Sequence, residues 1–179
     1  MTQANIDLSN LTSDQGFTIH GTFPLGEFGK SVSSAGDVNG DGVDDLIIGA
    51  PTAENNLGTA VVGSAYVIYG RIGNSPADLD VNEMDPDQGF LINIGANMSA
   101  GRSVSSVGDI NGDGLDDVIV GVPGFSLPGN SSMYAMGFAV GGAFIVYGEL
   151  GTSRSQVDAL DMSVSRHSPS GLPSDVNIA

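Results

Sequence analysis

Asp37, Asn39, Asp41 and Asp45 stand at alternate positions of one loop, and Asp109, Asn111, Asp113 and Asp117 repeat the arrangement in a second. Both loops keep the pattern D-x-N-G-D-G-x-D-D. Side-chain oxygens at alternate positions, a backbone carbonyl between them (Val43 or Leu115) and a glycine at the sixth place form the donor set of a hard, oxygen-seeking cation. Three carboxylates per loop offset a divalent charge, while Gly42 and Gly114 allow the sharp turn. The expectation is one calcium ion in each loop. Magnesium is disfavoured because it demands octahedral geometry and retains water. The plainer reading is a pair of Asp/Asn/Gly turns chosen for turn chemistry alone. Turns rarely spend four acids in nine residues, and here the whole pattern occurs twice. An EF-hand is a poor fit, since Ile48 and Val120 stand where its bidentate glutamate would be.

The elements that must position these loops also repeat. Asp14–Ile19 recurs as Asp87–Ile92, Gly29–Ser34 as Gly101–Ser106, Leu46–Pro51 as Val118–Pro123, and Gly63–Gly70 as Gly142–Gly148. These segments are short, β-branched or aromatic, and bounded by Gly, Pro or Asp, which predicts strands. The continuous apolar runs after each loop predict strands covered on both faces. No stretch has helical periodicity. Each unit therefore reads as strand, acidic loop, strand, variable loop, strand, linker, strand. The variable loop grows from Thr52–Val62 to Gly124–Gly141, and the longer version carries Met133, Tyr134, Met136 and Phe138. The ends are uneven: a Gly16–Gly21 strand precedes the first unit, and after Asp158–Met162 comes a Ser-, Pro- and Gly-rich stretch.

Charge narrows the partners. The 179-residue chain has a formal net charge of −16 with five basic residues, which argues against nucleic acid and anionic membrane surfaces. Eight of the 21 acidic residues lie in the two loops, so bound calcium would relieve part of the self-repulsion. No run of 18 apolar residues exists to span a membrane as a helix. With no cysteines, disulfides and thiolate metal sites are excluded, and in a small extracellular domain calcium could serve as the staple instead. No apolar signal-type segment follows Met1–Asn5. His20 and His167 have no partner set nearby in sequence, and no nucleophile elbow, zinc-protease motif or phosphate loop occurs, so no catalytic residue is assigned. Asn10, Asn97 and Asn130 head glycosylation sequons, which need a secretory context.

Phe28-Gly29, the Asp37–Asp45 loop and Gly49-Ala50-Pro51 together resemble the FG-GAP repeat of integrin α-subunit β-propellers. The second unit is similar, with Ala100-Gly101 and Gly121-Val122-Pro123 in the naming positions. The resemblance covers roughly residues 14 to 148. It implies an all-β protein of two four-stranded blades, calcium in the hairpin between the first two strands of each, and adhesion or recognition at an extracellular or cell-surface location.

The expected division is a lead-in and donor strand at 1–21, a first blade at 22–94, a second at 95–157 and a tail at 158–179. Integrin-like propellers close with seven blades, so two blades form an incomplete propeller. The expectation is completion by strand exchange with neighbouring protomers, head to tail, giving a ring or a filament. The alternative is a module of a larger propeller that recognises an extracellular protein or glycan through its variable loops.

Overall fold

The computed structural model describes residues 6–21, 26–52, 62–72, 78–96, 99–125, 140–152, 154 and 156–158, which contain strands and no helix. The first blade is an antiparallel meander of β2 (Ser31–Gly36), β3 (Asp45–Ala50), β4 (Val62–Ile68) and β6 (Gly89–Ala96). The second has β7 (Val104–Gly108), β8 (Asp117–Val122) and β9 (Gly142–Val146) in the same order. The unit read from the sequence is thus complete in the first blade. In the second, the strands up to β9 are described. Most of the two variable loops, the tail from residue 159, Asn97, Asn130 and His167 lie outside the described residues.

Each acidic loop joins the first two strands of its blade across a bulge, at Ser34/Gly36 and at Ser106/Gly108. A bulge sharpens the local twist and re-aims the chain as it leaves the ladder. Small residues along β2 permit close approach between blades. The Ser31 hydroxyl donates to the Gly101 carbonyl at 2.8 Å, and a Cβ on Gly49 would lie 1.9 Å from that carbonyl oxygen.

Two parallel pairings were not expected from the sequence. β1 (Ile19–His20) lies beside β5 (Leu79–Asp80), and β10 (Gln156–Asp158) beside β6. These are one device used twice, for β1 repeats the sequence of β6. Ile19 stands opposite Leu79, and its counterpart Ile92 stands opposite Val157. A linker following the third strand of a unit therefore crosses onto the outer strand of the unit before it. By this route β10 extends the first blade's sheet, and β6 itself runs to Ala96. The expected Gly16–Gly21 strand is shorter than its sequence span, and β5 already holds one of its edges.

The main core lies between the blades. Ala35, Val38, Ile47, Ala65, Val67 and Tyr69 of the first blade meet Val118, Val120, Val122 and Val146 of the second. A second cluster covers the opposite face of the first blade, where Ile48, Tyr66 and Ile68 pack with Leu79, Val81, Ile19 and Phe28. The ring of Phe28, from the FG pair, sits edge-on to Tyr66 with centroids 5.5 Å apart. Blade 1 is thus covered on both faces, as the apolar run of β3 requires, though Leu46 remains 42% exposed.

Gly36 and Gly108 test how far this packing is asymmetric. Both hold left-handed backbone, φ 74° and 67°, so alanine strains each by roughly 1–2 kcal/mol. A Cβ on Gly36 would meet the Asp116 carboxylate at 2.1 Å, whereas one on Gly108 meets nothing within 4 Å. Gly36→Ala is expected to lose about 2 kcal/mol more than Gly108→Ala in urea unfolding, the overpacking increment. Equal losses would show that blade 2 does not press on this loop.

Candidate metal centre

The acidic loops are ordered by their own carboxylates. Asp37 Oδ1 accepts the N–H groups of Gly40 and Asp41 at 2.8 and 3.0 Å, and its Oδ2 accepts that of Gly42 at 2.9 Å. Asn39 Oδ1 accepts the Asp41 N–H at 2.9 Å, and Asp41 Oδ1 that of Val43 at 2.8 Å. The second loop repeats the set. Asp109 accepts from Gly112, Asp113 and Gly114, Asn111 from Asp113, and Asp113 from Leu115, all between 2.7 and 3.0 Å. Left-handed glycines at 40, 42, 112 and 114 curl the backbone so that these amides face inward.

Asp45 and Asp117 lie at the base of each loop and are fully buried. Asp45 accepts the Val38 N–H at 3.0 Å and the Gly70 N–H at 2.8 Å. Asp117 accepts from Ile110 at 3.0 Å and from Gly148 at 2.8 Å. One carboxylate therefore ties the loop, the second strand and the end of the third strand together. Burial pushes the Asp45 carboxyl up to about 6, with Asp41 and Asp37 adding repulsion, while the Gly70 and Val38 amides pull it back.

The structure brings each expected ligand set into one loop but aims the oxygens largely at backbone amides. Among the described residues, no group of three acidic or imidazole side chains forms a ready-made metal cluster. Val43 and Leu115, expected to offer carbonyls, here donate N–H groups to Asp41 and Asp113. A carboxylate has about four acceptor positions, so amide bonding leaves room for a cation as well. Repulsion among Asp37, Asp41 and the buried Asp45 is what a bound cation would relieve. The donor chemistry fits a hard divalent ion.

Asp44 and Asp116, the spare acid of each D-D pair, were given no role by sequence reasoning. Asp116 Oδ2 accepts the Asp37 N–H at 2.9 Å, and its own N–H donates to the Asp37 carbonyl at 3.1 Å. Beside it, the Glu149 and Gly151 N–H groups donate to the Val38 and Asn39 carbonyls, each at 2.9 Å. The loop of blade 1 is thereby clasped by blade 2, which explains why Val38 and Asn39 are 3% and 2% exposed. Only the doubled acid, present in both loops, signalled this in the sequence. His20, the one described histidine, lies 3.8 Å from Asp78 at an exposed position away from the loops.

The FG-GAP repeat family matches residues 28–68 and 100–146, each span enclosing one acidic loop. Phosphatidylinositol-glycan-specific phospholipase D from Mus musculus is 38% identical over 62% of this chain and 13% of its own length. Integrin alpha-3 from Cricetulus griseus is 38% identical over 59% of the chain and 9% of its own length. For integrin alpha pat-2 from Caenorhabditis elegans the identity is 36%, over 54% and 7%. The match thus spans a small part of each of these relatives.

A carboxyl raised by folding favours the folded state when protonated. Its contribution is present below about 4 and declines as pH rises towards 6. In chelator, wild-type protein is expected to lose more stability between pH 5 and pH 7 than Asp45→Asn, which cannot ionise. Paired thermal melts measure the difference, and parallel pH profiles would remove Asp45 as its source.

Proposed function

We propose, from the FG-GAP repeats matched at residues 28–68 and 100–146 and the likeness to integrin α subunits, a calcium-clipped pair of propeller blades that serves adhesion or ligand recognition. The location proposed is extracellular or the cell surface, in keeping with the likeness to integrin α subunits. The observation that carries the reading is the twin loops, in which Asp37 and Asp109 gather the same three amides around the same Asx donor set. Asp37, Asn39, Asp41 and Asp45, with Asp109, Asn111, Asp113 and Asp117, would hold the two ions, joined by the Val43 and Leu115 carbonyls. Calcium would supply charge neutralisation there, and the chain's own residues set the shape: the buried Asp45 and Asp117 anchor the hairpin to the third strand.

Binding rather than turnover is proposed. The phospholipase likeness covers 13% of that protein, so its named activity is not carried to this chain. The partners proposed are an extracellular protein or glycan, and further blades of the same kind engaged head to tail.

Calorimetric titration is expected to count two calcium ions per chain, and Asp41→Asn and Asp113→Asn to remove one each. At a hundredfold excess over the dissociation constant, each site adds about 2.7 kcal/mol to stability. A melting temperature indifferent to both calcium and chelator would overturn the reading. For the partner, the immobilised chain should retain a glycan or extracellular protein in calcium and release it in chelator.

A further inference from the structure

The contact between the two blades is a template with two ends, and both halves of it recur unfilled. On blade 1, Ala35, Val38, Ile47, Val67 and Tyr69 face blade 2 and are at most 6% exposed. The β-ladder registers place Ile145 where Val67 stands, and the loop repeat places Ile110 where Val38 stands. On blade 2 these positions are open: Ile110 is 56% exposed, Ile145 44%, and Tyr147, the counterpart of Tyr69, 54%. The glycines agree. A Cβ on Gly40 would touch Leu115 and Leu150, whereas one on Gly112 meets nothing within 4 Å.

The receiving half recurs on blade 1. Asp44, Gly70, Arg71 and Ile72 are the counterparts of Asp116, Gly148, Glu149 and Leu150, which clasp the first loop. Ile72 is 90% exposed, and Val43, Asp44, Gly70 and Arg71 line a cavity of about 310 Å³ with Phe17 and Leu79. Beside that cavity β1 is paired on one edge by β5, and among the described residues β9 pairs only with β8. β1 repeats β6, the strand that pairs antiparallel with the blade-1 counterpart of β9.

We infer that the Ile110–Ile145–Tyr147 face of blade 2 docks on the Asp44–Arg71–Ile72 face of blade 1 in a second copy of this chain, reproducing the contact between the chain's own blades. The inference deepens the head-to-tail association proposed above and rests on that reading. In the docked pair the Asp44 carboxylate accepts the Asp109 N–H, the Arg71 N–H donates to the Ile110 carbonyl, and β1 lies along β9 with Ile19 opposite Ala143. Apolar residues that are singly exposed on each copy become buried together, which supplies the driving force. Arg71 stands where blade 2 has Glu149, so the receiving face is less acidic than its internal template. The approach of the acidic second loop to Asp44 is repulsive until that loop is neutralised, so docking requires calcium.

Ile145→Lys blocks the delivering face and Ile72→Asp the receiving face, and neither touches a proposed metal ligand. Sedimentation in calcium should show wild type growing with concentration and each variant alone staying monomeric. The two variants mixed should form a dimer through their intact faces, and pairing in the mixture also shows that both are folded. Chelator should return wild type to monomer. Monomeric wild type with two calcium ions bound by calorimetry would overturn the docking while leaving the calcium reading intact. Assembly unaffected by either variant would overturn the surfaces assigned here.

Discussion

A buried carboxylate that accepts two backbone amides holds each blade together. Asp45 joins Val38 in the loop to Gly70 beyond β4, and Asp117 joins Ile110 to Gly148 in the same way. Like charges in the loop repel one another, and the amide bonds accepted by Asp37 together with the anchored Asp45 oppose its opening. Anchoring the base of the loop to the third strand constrains where Asp37 and Asp41 stand, the carboxylates proposed as metal donors. Burying that carboxylate among like charges is costly, which is visible in the raised pKa of Asp45.

The second dependence runs between blades. Asp116 stands next to the buried Asp117 and reaches across to the Asp37 amide. The two loops are thus linked through adjacent residues of one chain segment, and the loop of blade 1 is set partly by blade 2. Ladder crossings act in the same direction, since β10 leaves blade 2 and joins the outer edge of blade 1. Apolar burial between the blades then closes around these polar contacts, with Ile47, Val67, Val118 and Val120 almost wholly removed from water. Polar clasp and apolar core are complementary: the first fixes register and the second supplies most of the stabilisation.

Much of this was legible because the repeat is local. The strand segments β2, β3, β4 and β6, the two loops and the bracketing glycines each follow from short-range pattern, alternating or continuous apolar runs between turn residues, while their pairing as one blade is what the FG-GAP resemblance implies. The parallel pairings of β5 and β10 were not legible. They are two or three residues long, too short for their alternation to stand out, and depend on a partner about sixty residues away in sequence. Nor was the role of Asp116, since a second acid beside a metal-type ligand reads as more of the same until its neighbour in space is known.

The sequence by itself determined the all-β class, the duplicated unit and the order of strand segments along it, and it marked the acidic residues of each loop. It could do so because strand pattern, turn chemistry and metal-type spacing are properties of neighbouring residues. Only the tertiary structure decided that the Val38-Asn39 side of one loop is covered by the other blade while the same side of its twin faces solvent. The two loops keep the same D-x-N-G-D-G-x-D-D pattern, but Val38 and Ile110 differ from 3% to 56% exposed because burial depends on what stands opposite.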